Sequence, residues 1–155
     1  MTNEITRLEQ QLRRSIEGEA WSGPSLLEAV AHVTADQAYA RPIASAHTIW
    51  ELVLHLIGTY SLVLRRMRGD ATPLSPEEDW PPVLSPTASL WQDTVARLRE
   101  LNEQLCKQIR EFKPDDLDNP FSGEPYSAHT QFIGMTQHNL YHAGQIVLLA
   151  RAMQR

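Results

Sequence analysis

The chain has 155 residues, 14 basic and 19 acidic side chains and a net charge of −5, which argues against the basic surface that a phosphate backbone requires. The length predicts one domain over residues 1–155. Cys106 is the only cysteine, so an intrachain disulfide is excluded and a reducing cytoplasm fits. The N-terminal residues lack a basic region followed by an apolar run, and no apolar run approaches the ~18 residues of a membrane helix. We therefore expect a cytoplasmic protein that binds neither nucleic acid nor membrane.

The N-terminal part of the chain predicts one amphipathic helix followed by shorter helical segments. The first helix is predicted over residues 3–17, where apolar side chains recur at helical spacing: Ile5, Leu8, Leu12 and Ile16. A break follows at 18–24, and Pro24 suits the first turn of a second helix that buries apolar residues as far as Val33. Thr34 is placed to cap a short turn that runs to Ala40.

The second long helix is predicted over residues 48–68 and is apolar over more than half of its circumference. Such a helix is central in a fold rather than peripheral. Arg65, Arg66 and Arg68 suit the negative end of its dipole, and Gly69 is the predicted C-terminal cap.

Two proline-rich connections separate the remaining long helices. Residues 70–86 contain five prolines and predict a long loop without a helix. Thr87 is placed to cap a third long helix over 88–112, and a second connection follows at 114–127. The fourth long helix is predicted over 128–153. Four long helices without strand alternation predict an all-α fold, a four-helix bundle.

Two histidines of the fourth long helix, His138 and His142, are four residues apart and therefore share one face. Heptad-like spacing places both rings on a seam that faces the core, formed by Met135, His138, His142, Gln145 and Leu149. His55, inside an apolar run of the central helix, is the best candidate for a third ligand. Three buried histidines from two helices match catalytic metal sites, which have three protein ligands and an open position.

The spacing leaves two interpretations of these histidines open. A buried imidazole needs a metal ion or a hydrogen-bond partner, so satisfied core histidines are the alternative to a metal site. Glu51 lies one turn before His55, and Gln145 follows His142 by three residues. Either side chain can orient a ligand or face the open coordination position. Glu51 is also the candidate catalytic base, with an ordinary solvated helix glutamate as its alternative interpretation.

Three blocks of the sequence resemble the DinB-like superfamily, in particular its YfiT-like group, whose members are inferred to be metalloenzymes. The blocks are WSGPSLLEA at 21–29, AHTIWELVLH at 46–55 and GMTQHNLYHAGQI at 134–146. The loop EEDWPP at 77–82 and the turn PYS at 125–127 are also similar to this group. The similarity spans nearly the whole chain in the right order, which makes the combination specific.

The resemblance implies a four-helix bundle in up-down-down-up order, often dimeric, so we expect a homodimer. It also implies a divalent metal ion, nickel or zinc with manganese or iron as further options, held by His55, His138 and His142. Characterised relatives include transferases and isomerases that use low-molecular-weight thiols. The expected substrate is therefore a small molecule, and a thiol is the expected cosubstrate.

Two functions follow as competing hypotheses. The first is a metal-dependent enzyme, a thiol-dependent S-transferase or a hydrolase, in which the metal ion activates a thiol or a water molecule. The second is a non-catalytic bundle that keeps a metal ion for stability and acts as a stress-related binding or dimerisation module. A fourth protein ligand would favour the second hypothesis, whereas an open coordination position favours the enzyme.

Overall fold

The structure is a computed structural model that describes residues 3–154. Helices form nearly all of its regular structure, and only an isolated bridge pairs Pro120 with Ser127. The helices, in chain order, are α1 (Glu4–Glu17), α2 (Leu26–Val30), α3 (Ala35–Tyr39), α4 (Ile49–Met67), α5 (Pro76–Asp79), α6 (Ala88–Arg110) and α7 (Ala128–Ala152). A 3-10 turn at Pro114–Asp116 lies between the last two. None of the described helices is both long enough and apolar enough to cross a membrane.

The first and last long helices, α1 and α7, are parallel neighbours. His129 at the start of α7 contacts Glu4 at the start of α1, with 3.1 Å between Nε2 and Oε1. Further along both helices, Asn139 Nδ2 donates to Ser15 Oγ at 2.9 Å. Because the contacting residues advance together along α1 and α7, the two helices run in the same direction.

Helix α6 runs against α1. Glu9 of α1 binds Arg110 at the end of α6, with 2.7 Å between Oε1 and Nη1. Arg13, one turn later in α1, binds Glu103, which lies earlier in α6, at 2.8 Å between Nη1 and Oε2. The contacts advance in opposite directions, as they do in an antiparallel pair.

Helix α4 is parallel to α6, which fixes the order of the bundle. Trp50 Nε1 donates to Thr94 Oγ1 at 3.2 Å, and Tyr60 OH donates to Asn102 Oδ1 at 3.0 Å. With α1 taken as up, α6 is therefore down, α4 is down and α7 is up. The four long helices show the predicted up-down-down-up bundle. The predicted central position of the second long helix is confirmed, since α4 packs against α3, α5, α6 and α7.

Most predicted helix boundaries are confirmed by their caps. The side chains of Thr34 and Thr87 accept hydrogen bonds from the first turns of α3 and α6, as predicted, and Thr48 caps α4 in the same way. Gly69 follows α4 with a left-handed φ of 84°, and its N–H donates to Arg66 O at 2.9 Å.

Two predictions in the connections are wrong. Pro24 lies outside the second helix, because Ser25 is its N-cap and the helix ends at Val30 instead of reaching Val33. The loop predicted over 70–86 contains the one-turn helix α5. Its Ser75 and Glu78 exchange capping hydrogen bonds of 2.9 and 3.2 Å, and Pro76 occupies the first turn. A proline there does not oppose a helix, because that N–H has no partner within the helix.

A candidate three-histidine metal centre

The three predicted histidines converge at the interface of α4 and α7. His55 comes from the first half of α4, and His138 and His142 come from consecutive turns of α7. His138 Nε2 lies 3.1 Å from His55 Nε2 and 2.9 Å from His142 Nε2. The three residues each offer one ligand atom, and these atoms all lie within 4.8 Å of one another. The structure therefore brings together the residues that helical spacing and resemblance had selected.

Neighbouring groups hold two of these rings in the tautomer that a metal ion needs. His55 Nδ1 lies 2.8 Å from Asp79 Oδ1, and His142 Nδ1 lies 2.6 Å from Gln145 Oε1. A carboxylate or amide oxygen only accepts hydrogen bonds, so both Nδ1 atoms carry the proton. Each Nε2 then directs a lone pair at the common centre, as in metal-bound histidines whose other nitrogen is oriented by a carboxylate or carbonyl.

His138 does not complete a hydrogen-bonded cluster without a cation. Its Nδ1 is buried and, within residues 3–154, has no hydrogen-bond partner. A proton on His138 Nε2 can be donated to the Nε2 lone pair of only one of its two neighbours, His55 or His142. The Nε2 lone pair of the other neighbour then has no donor, although it lies at about the same distance. A divalent ion satisfies all three lone pairs. Tetrahedral ligands at metal–nitrogen distances of about 2.0–2.1 Å are roughly 3.3 Å apart, close to the separations found here.

Burial keeps two rings of the cluster, those of His138 and His142, neutral. Burial, with smaller contributions from His142 and His55, lowers the pKa of His138 to about 4. Burial also lowers the pKa of His142, although its hydrogen bond with Gln145 acts in the opposite direction. Both imidazoles are therefore unprotonated at neutral pH, which is the form that binds a metal ion.

Helix α5 and its two cap residues, Ser75 and Trp80, form a segment across α4 that we call the strap, residues 75–80. Asp79 of the strap orients His55, and the Trp80 ring stacks on the His55 ring with centroids 4.1 Å apart. On its other side, Trp80 stacks on His47 at 3.6 Å. A Cβ added to Gly58 would lie 2.6 Å from Glu78 O, so this glycine allows the strap to approach α4 closely.

Sequence reasoning missed Asp79. Its carboxylate is 24 residues from His55 along the chain and lies in a segment predicted to be loop. The available signal was the sequence Ser75-Pro76-Glu77-Glu78, which has the serine–glutamate spacing of a capping box and precedes Asp79 directly.

Glu51, the predicted catalytic base, has other partners than the histidine cluster. Its carboxylate accepts from Thr48 N at 2.8 Å and from Arg41 Nη2 at 2.6 Å, and lies 3.4 Å from His47 Nδ1. Burial raises the pKa of Glu51, but the hydrogen bonds from Thr48 and Arg41 outweigh it and hold the pKa below its usual value. The catalytic role of Glu51 stays a prediction.

Cys106 does not belong to the site. It is fully buried in the core, and burial raises the pKa of its thiol to about 12. Cys106 therefore acts as a small buried apolar residue, because such a thiol is neither a ready nucleophile nor a ready metal ligand.

Fold and site together define a class of protein: an all-α bundle with convergent histidines on its second and fourth long helices. A family model for the DinB superfamily matches residues 20–146, a span that contains all three histidines. The chain belongs to the DinB superfamily. Neither the comparison with curated proteins nor that with solved structures gave a match.

Proposed function

We propose that this protein is a metal-dependent enzyme whose divalent ion is held by His55, His138 and His142, with nickel or zinc preferred and manganese or iron possible. The observation that carries the proposal is the convergence of three Nε2 atoms. His138 Nε2 lies 2.9 Å from His142 Nε2 and 3.1 Å from His55 Nε2. Asp79 and Gln145 fix the orientations of the His55 and His142 rings, respectively, through hydrogen bonds with Nδ1. Preorganised ligands of this kind are typical of functional metal sites.

The number of ligands supports an enzyme over a structural metal site. Within the described part of the chain, the group of potential ligands has three members and includes neither a cysteine nor a carboxylate. A structural site is usually closed by a fourth protein ligand, whereas a catalytic site leaves that position to water or substrate. A divalent ion there lowers the pKa of a bound water or thiol and so favours its nucleophilic form.

The reaction we propose is transfer of a thiol to a small electrophilic substrate, with hydrolysis as the second option. Asp79 holds the orientation of His55, and Trp80 forms the wall of the site beside that ring. Glu51 remains the proposed base. It is linked to the centre through His47, which contacts Glu51 and stacks on Trp80. The non-catalytic alternative predicts that metal removal lowers the melting temperature while neither activity is found.

The assembly and location are part of the same proposal: a homodimer in the cytoplasm. The outer face of α7 supports a dimer, since it exposes Ile133 by 37%, Tyr141 by 65% and Leu148 by 61%. These side chains lie on one side of the helix, so a second copy packed against this face would cover all three. Light scattering of the purified protein tests the expected twofold mass.

The decisive experiment is metal analysis of the purified protein and of three variants, His55→Ala, His138→Ala and His142→Ala. We expect about one divalent ion per chain, and less than roughly a tenth of that in each variant, because two imidazoles bind a metal ion far more weakly than three. His32→Ala is the matched control, since His32 is exposed and lies outside the cluster. Unchanged metal content in all three variants would refute the site.

A further inference from the structure

A cavity of about 410 Å³ lies next to His138, between α4 and the N-terminal half of α7. Apolar and small side chains, among them Val63 and Met135, line its part near the histidine. Arg66, Glu124 and Gln131 supply polar groups to the same cavity. We call it the His138 cavity. Its volume is enough for a small organic molecule.

The two charged side chains that line the His138 cavity, Arg66 and Glu124, have opposite signs and are paired with each other. Arg66 Nη2 and Glu124 Oε1 form an ion pair, and the two side chains are only 15% and 19% exposed. A ligand with a single charge would bind one of them and leave the other unpaired in a largely buried place, which is strongly unfavourable. A ligand that carries both charges can replace both halves of the pair.

Two further polar atoms of the cavity side chains have unused hydrogen-bonding capacity. Arg66 Nε and Gln131 Oε1 are both buried and, within residues 3–154, have no hydrogen-bond partner. The amide assignment is consistent, because Gln131 Nε2 donates to Tyr126 O at 3.3 Å. One of the two unused atoms is a donor and the other is an acceptor, so they match a carboxylate and an ammonium group.

We propose that the His138 cavity binds the zwitterionic head group of an amino acid. The carboxylate binds the Arg66 guanidinium and the ammonium group donates to Glu124, and the buried Arg66 Nε and Gln131 Oε1 become contacts of the head group once it displaces the ion pair. The side chain of the ligand then extends along Val63 and Met135 toward His138. As a substrate assignment this rests on the proposed function, because His138 is one of the proposed metal ligands.

The test is calorimetric binding at pH 7 of three probes that share one side chain. L-methionine carries both charges, N-acetyl-L-methionine carries only the carboxylate, and L-methionine methyl ester carries only the ammonium group. We expect L-methionine to bind about tenfold or more tightly than either analogue, because each analogue leaves one side chain of the ion pair without a partner. Equal affinities for the three probes, or no saturable binding of L-methionine, would overturn the proposal.

Two variants assign each charge to its residue. We expect Glu124→Gln to remove the preference for L-methionine over the N-acetyl probe, and Arg66→Met to remove the preference over the methyl ester. Arg68→Met and Glu77→Gln are matched controls, because both residues are exposed and do not line the cavity. Should Arg66→Met fail to fold, Glu124→Gln with the N-acetyl probe is still decisive. An unchanged preference in that variant contradicts the proposal.

Measuring the same titrations with chelator-treated and with zinc-loaded protein separates the two proposals. Selective binding of L-methionine by a protein that never takes up metal would refute the metal-dependent enzyme and keep the cavity assignment. A full complement of metal with unselective probe binding would refute the cavity assignment alone.

Discussion

Tyr60 and His55 lie little more than one turn apart on α4, and Asn139 directly follows His138 on α7, yet the two polar clusters around them are built differently. In the first cluster Asn139 Nδ2 donates to Tyr60 OH at 2.8 Å, and Tyr60 OH donates in turn to Asn102 Oδ1 at 3.0 Å. Asn139 Nδ2 also donates to Ser15 Oγ. Each of these contacts pairs a donor with an acceptor, although Asn102 Nδ2 and Asn139 Oδ1 are buried and, within residues 3–154, have no partner.

The histidine cluster instead places acceptors against acceptors. His55 and His142 both direct Nε2 lone pairs at His138, because their Nδ1 protons are bound by Asp79 and Gln145. The asparagine–tyrosine cluster therefore joins four helices of the bundle through matched donors and acceptors, whereas the arrangement of the histidine cluster suits a bound cation. Burial of polar groups alone does not mark a functional site; the pairing of donors and acceptors distinguishes the two.

The largest expected effect comes from filling the histidine cluster. Zinc at a hundred times its dissociation constant should stabilise the chelator-treated protein by about 2.7 kcal/mol, which is roughly 5–10 °C in melting temperature for a chain of this size. Thermal unfolding with and without zinc measures the shift. The His142→Ala variant is the control and should show no shift. An equal shift in that variant would assign the stabilisation to a site elsewhere.

Breaking the asparagine–tyrosine cluster should lower stability without affecting metal binding. Tyr60→Phe removes the hydrogen bonds that the hydroxyl donates to Asn102 Oδ1 and accepts from Asn139 Nδ2, so the free energy of unfolding should fall by about 1–3 kcal/mol. Urea unfolding measures this loss, and metal content should stay at the wild-type value. Tyr39→Phe is the matched control, since Tyr39 is 47% exposed and lies outside both clusters. Loss of metal in Tyr60→Phe would show that the two clusters are one unit.

Removing the group behind His55 should weaken the metal site and leave the fold intact. Asp79→Ala should lower metal affinity about tenfold or more, because His55 Nδ1 loses the carboxylate and keeps only the main-chain oxygen of residue 79, at 3.2 Å, as an acceptor. Asp79→Asn keeps an acceptor and should recover part of this loss. Competition with a chromogenic chelator measures affinity, with Glu77→Gln as the control. An affinity unchanged in Asp79→Ala would mean that the main-chain oxygen of residue 79 and packing against Trp80 are enough to orient the ring.

The metal-free protein should lose stability on acidification. The pKa of His138 is about 4 in the folded chain against an ordinary 6.5, so the unfolded chain takes up a proton first as pH falls. The contribution of the neutral His138 ring to the free energy of unfolding is complete above pH 6.5 and is lost as the pH falls toward 4. Allowing for partial exposure, we expect roughly 1–2 kcal/mol less stability at pH 5 than at pH 7. Urea unfolding at both values measures the loss, and His138→Gln should show a smaller one.

The smallest expected effect is on the fold in Glu51→Gln. Glutamine preserves the capping box with Thr48, so the free energy of unfolding should change by less than about 0.5 kcal/mol. Once an activity is measured with metal-loaded protein, the same variant tests the predicted base. Unchanged turnover would reduce Glu51 to a helix cap and a partner of Arg41.

The sequence was sufficient for the bundle and its histidines because both depend on local periodicity. Threonines at helix starts and apolar spacing give helix positions, and two histidines four apart must share a face. Asp79 was missed because prolines were taken to exclude a helix in its segment. The pairing of Arg66 with Glu124 was beyond sequence reasoning, since it joins a helix end to a loop far along the chain. Arg66 was interpreted only as a partner of the helix dipole.

The stacking of Trp80 between His47 and His55 has an optical consequence. The chain has four tryptophans, and of these Trp21 is fully exposed while Trp50 and Trp91 lie in the core. Only Trp80 shares a face with a ring of the cluster, with centroids 4.1 Å apart. A positive ion bound to that imidazole would change the field across the indole, so the fluorescence of Trp80 would report occupancy of the proposed site from within the protein, without an attached dye.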